Sequence, residues 1–146
     1  VEHLNNELKK DYSFVERSLN QSDLKIESSQ GKIIFDQSGI SVVVTSPFEE
    51  NYRIEGSTME IYDVYLDQKQ VVDIKTSENF FLNILMNGIQ ENSDEYQISS
   101  NINSIDIIAS DQNNTVNFFF DENSLLRLIK YKDSIGVEHG IELTKL

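Results

Sequence analysis

The apolar positions of this 146-residue chain change period twice. At the start, Val1, Leu4, Leu8 and Tyr12 recur at helical spacing, with Glu7, Lys10 and Asp11 on the other face. That spacing predicts an amphipathic helix from Val1 to about Lys10, lying on a sheet. From Ser13 the pattern alternates. "SFVERSL", "LKIES", "GKIIFD", "GISVVVTS", "ENYRIE", "STMEIYD" and "KQVVDI" read as strands. "NQSD", "QSG", Gly56-Ser57 and the region of Asp67-Gln68 read as turns. Pro47, the only proline, ends the strand before it, because a residue without an N–H interrupts a ladder. In "SENFFLNILMNG" the period returns to that of a helix, with Phe80, Phe81, Ile84 and Leu85 as its stripe. Ser77 is placed to cap it, Glu78 suits its positive end, and Gly88 can stop it. "EYQISS", "SIDIIAS", "TVNFFFD", "LLRLIKYKD" and "GIELTKL" then resume the strands. The predicted architecture is about two helices and ten or eleven strands in an antiparallel meander over 1–146, as a single domain. No helices alternate with the strands, so a parallel doubly wound sheet is not expected.

Several strands carry more apolar residues than a one-sided sheet needs. Ile33 and Phe35 share a face, yet Ile34 opposes them. Ile40, Val42 and Val44 oppose Val43, and Val116, Phe118 and Phe120 oppose Phe119. Such strands want apolar surroundings on both sides. Two structures supply them: a sandwich, which covers only one face of each sheet, and a curved sheet or barrel with a helix packed inside or across its mouth. If side chains fill the concave face it is core; if they do not, it is a ligand cavity.

Composition narrows the functions. The net charge of −13 and pI near 4.4 argue against nucleic acid, whose phosphates call for clustered Lys and Arg. The same charge disfavours an anionic membrane face and leaves a surface suited to a basic partner. There is no cysteine, which excludes disulfides, thiolate catalysis and thiolate metal sites. No apolar run reaches the ~18–20 residues of a membrane helix. The chain begins at Val1 rather than Met, which is compatible with a removed secretory signal.

Catalytic motifs are missing. His3 and His139 lack the i, i+4 partner of a helical zinc site; His3 lies near the terminus and His139 falls in an expected turn. There is no G-x-S-x-G elbow and no phosphate-binding glycine loop. "DQNNTVNFFFDE" offers oxygen ligands but lacks the glycine and glutamate of a calcium loop. The pairs Asp106/Asp111 and Asp121/Glu122 are expected at turns. Asn20-Gln-Ser and Asn113-Asn-Thr match glycosylation sequons. The residue types point away from an enzyme and imply no cofactor or metal.

The stretch "SPFEENYRIEGSTMEIYDVYLDQKQVVDI" resembles the central region of the periplasmic outer-membrane lipoprotein carrier family, LolA. Pro47, Gly56, Tyr62, Asp63, Gln70 and Val71 match that family's pattern in order. "YSFVERS" with "QGKIIF" is similar to its first helix leading into two strands. "NFFLNILM" falls where it has a mouth-covering helix, and "TVNFFFDENSLLRLIKYKDSIGVEHGIEL" resembles its closing hairpins. The resemblance implies an incomplete antiparallel β-barrel lidded by helices, whose concave face takes the acyl chains of lipoproteins. It implies a monomeric periplasmic carrier, without a transmembrane segment. Its partners would be lipoproteins, an inner-membrane lipoprotein-releasing transporter and an outer-membrane lipoprotein receptor. The alternative is an interaction or structural module of the same fold with a filled interior.

Under the carrier reading, Val42, Val44, Ile54, Met59, Ile61, Val72, Ile74, Phe118 and Phe120 would line the cavity, and Phe80, Phe81, Ile84 and Leu85 would form the lid. The chain departs from the family in its unusually acidic charge of −13, in stopping at "IELTKL" before the family's usual C-terminal extension, and at one motif. Where the family has an Arg-Pro pair, with the Arg implied in holding the lid shut, this chain has Gln37-Ser38, followed by Ser41 and Val43. Arg53 is a candidate stand-in.

Overall fold

The computed structural model describes residues 1–20, 23–73, 80–110, 114–133 and 135–146, apart from the Leu82 side chain. Eleven antiparallel strands form one sheet. The first half is a meander: β1 (Tyr12–Asn20), β2 (Lys25–Phe35), β3 (Ile40–Ser46), β4 (Glu50–Glu55), β5 (Thr58–Asp63) and β6 (Gln68–Asp73). The second half is another: β7 (Tyr96–Ser100), β8 (Ser104–Ala109), β9 (Thr115–Phe120), β10 (Leu126–Lys132) and β11 (Val137–Lys145). The spatial order β6-β5-β4-β3-β2-β1-β11-β10-β9-β8-β7 leaves β6 and β7 as open edges. The sheet is therefore curved and unclosed, as the alternation predicts. Two helices, α1 (Glu2–Glu7) and α2 (Phe80–Asn87), pack on its concave face.

The halves meet where β1 pairs with β11 from Tyr12↔Lys145 to Asn20↔Val137. The chain leaves the first meander at one edge and enters the second at the other. α2 lies between those two edge strands in sequence and packs on the concave side. Gly88 ends α2 with φ +72 and donates its N–H to the Ile84 carbonyl at 2.8 Å, the left-handed stop expected of a glycine there. The expected cap Ser77 and its neighbour Glu78 lie outside the described residues.

Alternation puts one set of side chains inward. Following the register from Tyr12 gives Ile33, Val42, Tyr52 and Ile61 across the first meander, and from Glu16, on the same face, gives Ile141, Ile129, Phe118 and Ile105 across the second. The core lies under the helices against the second half, where Leu4, Leu8, Phe81, Ile84, Ile107, Val116, Phe118, Leu126 and Ile129 are buried together.

Four expectations are corrected. "LKIES" and "GKIIFD" are one eleven-residue strand, β2, with Gly31 inside it rather than opening a new one. The first helix stops at Glu7, and Tyr12 begins β1. His139 lies within β11, because that strand starts at Val137, directly after the turn, and not at Gly140. Asp106 lies within β8, where its carboxylate accepts the Asn117 amide N–H at 2.7 Å. Asp111 and the sequon residues Gln21, Ser22 and Asn113 lie outside the described residues.

Gly31 sits where the β2–β3 register shifts, between Gln30↔Ser46 and Gly31↔Val44. A Cβ there would collide with the Val43 carbonyl oxygen and approach the Val44 Cα to 2.9 Å. Backbone, not a flexible side chain, is in the way. Gly31→Ala should therefore lower unfolding free energy by about 2 kcal/mol or more, read by urea denaturation. Gly56→Ala, whose Cβ meets open space but whose φ is +56, should cost only about 1 kcal/mol. Equal costs would refute the steric account of the register shift.

Candidate functional site

The helices cover only part of the concave face. What they leave is a cavity of about 800 Å³ over β1–β5, roofed by α2 and bounded by β10 and β11. Its inner half is apolar: Leu8, Tyr12, Phe14, Ile33, Phe35, Val42, Ile54, Met59, Phe81 and Leu85 line it. Its other end is polar. Along β1, Phe14 gives way to Glu16 and Ser18; along β2, Ile33 gives way to Ser29 and Glu27. Glu50 and Tyr52 face the same end from β4, beside Pro47 and the exposed Phe48.

Val42, Val44, Ile54 and Met59 of the expected cavity residues line this space, as do Phe81 and Leu85 of the expected lid. Ile61 and Val72 share the inward face but stand toward the β6 edge, outside the cavity lining. Phe118 and Phe120 also point inward, beneath the helices: Phe118 is fully buried and Phe120 packs near His3, with ring centroids 5.6 Å apart. Phe80 packs edge-on against Tyr96 at 6.1 Å, and Ile84 is buried in the core. Ile74 lies outside the described residues.

The sequence reading passed over much of the lining. Tyr12, Phe14 and Glu16 on β1, Ile33 and Phe35 on β2, and Ile129, Tyr131, Ile141 and Leu143 from the last two strands all face the cavity. Their alternation was legible. Their meeting depends on the β1–β11 pairing, for which no local pattern speaks.

Polar contacts anchor the helices. The Asn5 side chain donates to the Ile89 carbonyl at 2.9 Å and accepts the Ile89 N–H at 2.7 Å, tying α1 to the end of α2. His3 Nε2 lies 2.6 Å from the Ser124 carbonyl oxygen. Glu7 is only 1% exposed, and its carboxylate accepts from Lys10 Nζ and from the Tyr12 hydroxyl, each at 2.9 Å. Burial pushes the Glu7 pKa up, but those two hydrogen bonds and the Lys10 charge outweigh it and hold the group below its ordinary value.

On the α2 side, Phe81 stacks on Tyr131 at 4.4 Å, and Tyr131 stacks on His139 at 4.6 Å. The His139 ring is held between carboxylates, Glu16 at Nδ1 and Asp133 at Nε2, 2.8 Å away. The hydrogen bond to Glu16 leads in raising the His139 pKa; burial opposes it, and Asp133 adds to the rise. The Tyr131 hydroxyl is raised by burial, with Glu16 and Asp133 adding. Tyr52 is pushed up to about 12 by burial, by Glu50, whose carboxylate accepts its hydroxyl at 3.1 Å, and by Glu16.

Arg53 does not stand in for a lid-holding arginine. It lies on the outer face, where it donates to Asp36 at 2.8 and 2.9 Å, to Ser38 and Ser41 hydroxyls at 2.6 and 2.7 Å, and to Glu55 at 2.8 Å. It ties the β2–β3 turn to β4. Asn5 and the Phe81–Tyr131 stack hold the helices instead. Among the described residues no group of three or more His, Cys, Asp or Glu is arranged to hold a metal ion, and no helix is long and apolar enough to cross a membrane.

Fold and site together define an open antiparallel sheet that holds a helix-roofed, largely apolar cavity. No protein-family model matches the chain, and no curated protein does. Among solved structures the chain is similar to one described as an outer membrane lipoprotein-sorting protein domain, from Vibrio parahaemolyticus. The match covers 99% of this chain and 89% of that one, at 8% identity and a TM-score of 0.42.

Two outcomes test this anchoring. Asn5→Ala removes both bonds to Ile89 and should cost about 1–3 kcal/mol in urea denaturation. The His139 clamp should also give stability a bounded pH window. Below the unfolded His pKa of about 6.5 the ring is charged in both states and its contribution is complete. As pH rises, the unfolded ring loses its proton first, so stability falls until the raised folded pKa is passed. On the acid side Asp133 is held below its ordinary value, against burial, by His139 and by the Val137 and Ile135 N–H groups. Its contribution is complete above the unfolded Asp pKa of about 3.9 and is lost as pH falls. The thermal midpoint should therefore decline from pH 6 to 9, and His139→Gln should flatten that decline. An unchanged slope in the variant would refute the clamp.

Proposed function

We propose that residues 1–146 form one carrier domain, which takes the acyl chains of lipoproteins into the concave cavity and carries them across the periplasm between inner and outer membranes. The observation that carries this reading is the unfilled space of about 800 Å³ with an apolar inner half beneath α2. Packed interiors leave few voids larger than a water molecule, so a space of this size among Phe14, Ile33, Val42, Ile54 and Met59 is room for a guest. It also weighs against a filled interaction module. Each methylene moved into it from water is worth about 0.8 kcal/mol, without any directed contact. Binding, not catalysis, is what such a lining supports. Entry and release call for movement of α2, whose Phe81 and Leu85 form the roof.

The proposal is tested with a neutral fluorescent acyl probe and a triacylated lipoprotein. The protein should hold the lipoprotein in a stoichiometric detergent-free complex, seen by native mass spectrometry. Val44→Trp, which fills the cavity from β3, should weaken the probe at least tenfold while leaving the thermal midpoint within a few degrees. Wild-type protein that binds neither, or a Val44→Trp variant that binds the probe as before, would overturn it.

A further inference from the structure

The proposed cargo site has one sign of charge. Glu16, Glu27 and Glu50 line the cavity, and among the described residues its lining includes no Lys, Arg or His. The three are not scattered. All stand at the end where β1 finishes, β2 begins and β4 begins, with Ser18, Ser28, Ser29 and the Tyr52 hydroxyl beside them. The opposite end, under the helices, is apolar. A guest that fits both ends has a hydrocarbon tail and a polar head, and the head meets carboxylates.

Existing partners leave the charge at Glu16 and Glu50 unneutralised. Glu16 shares His139 with Asp133, so a protonated imidazole between two carboxylates leaves a net −1. Glu50 accepts only a neutral hydroxyl, from Tyr52, among its described hydrogen bonds. Glu27 stands at the mouth, 71% exposed, with Lys25 3.8 Å away. An anion brought there would face the like charges of Glu16 and Glu50, while a cation would gain from both.

Resting on the carrier reading above, we infer that this cavity selects amphiphiles whose polar end carries a positively charged amine and discriminates against those ending in a carboxylate or phosphate. The tail lies along Phe14, Ile33, Val42 and Ile54, and the ammonium sits between Glu16 and Glu50, with Glu27 at the entrance.

Three probes of one chain length separate head from tail: tetradecylamine, tetradecanol and tetradecanoate. Each competes with the neutral fluorescent acyl probe at pH 7.4, below its aggregation threshold. The amine should bind at least tenfold tighter than the carboxylate, a gap of about 1.4 kcal/mol, with the alcohol between. Higher salt should narrow the gap, since the mouth is open to solvent. Glu50→Gln, alone and with Glu16→Gln, should close most of it by weakening the amine and strengthening the carboxylate, while the thermal midpoint reports an intact fold. Glu91→Gln with Glu122→Gln makes the same charge change at exposed positions outside the cavity lining and should leave the gap as it was. Carboxylate binding as tight as amine, or a gap that survives loss of Glu16 and Glu50, would overturn the inference while normal alcohol binding left the carrier reading standing. Failure of all three probes to bind would overturn both.

Discussion

Everything on the concave side follows from one pairing, β1 against β11. Each meander by itself is a chain of neighbouring hairpins with low closure cost. Joining the first strand to the last turns two sheets into one and sends their far edges, β6 and β7, apart. Between those edges in sequence, α2 lies on the inward face, where it is a roof and not a surface helix. The same seam puts Tyr12, Phe14, Ile141 and Leu143 at the centre of the inward face, so the deepest cavity lining comes from the two ends of the chain.

The cover is too small for what it covers. A helix of six residues and one of eight lie on a sheet of eleven strands. They cover the inward face of β8 and β9, where Ile107, Val116 and Phe118 are fully buried, and leave β2–β5 with a gap. Asymmetric covering explains why residues of one inward face have two fates: Phe118 is core and Val42 is lining, though the pleat points both the same way. The cavity needs no special wall residues. It is core that lacks its second half.

Among the described residues every buried side-chain polar atom has a hydrogen-bond partner, which lets a charged residue such as Glu7 sit almost wholly inside. The aromatic series Phe81–Tyr131–His139 connects the helix to the carboxylate of Glu16, and Glu16 also faces the cavity. Roof position and cavity charge thus share one chain of contacts. An arginine salt link is not needed to hold the helices, since the Asn5–Ile89 amide pair does that work with neutral groups.

Local chemistry in the sequence determined the elements. Alternation of apolar and polar residues specified the strands and which side chains share a face, the stripe of Phe80, Phe81, Ile84 and Leu85 specified α2, and Gly88 its stop. The same pattern was enough to say that some strands need apolar contact on both sides. It could not say that Gly31 lies inside a strand, because that depends on Val43 of the neighbouring strand, nor that His139 sits between Glu16 and Asp133, the first of them 123 residues away. It could not separate Phe118 from Val42 either. Periodicity is a property of neighbours in the chain; whether an inward residue meets a helix or an empty space is decided by which strands lie under the roof, and only the tertiary pairing of β1 with β11 sets that.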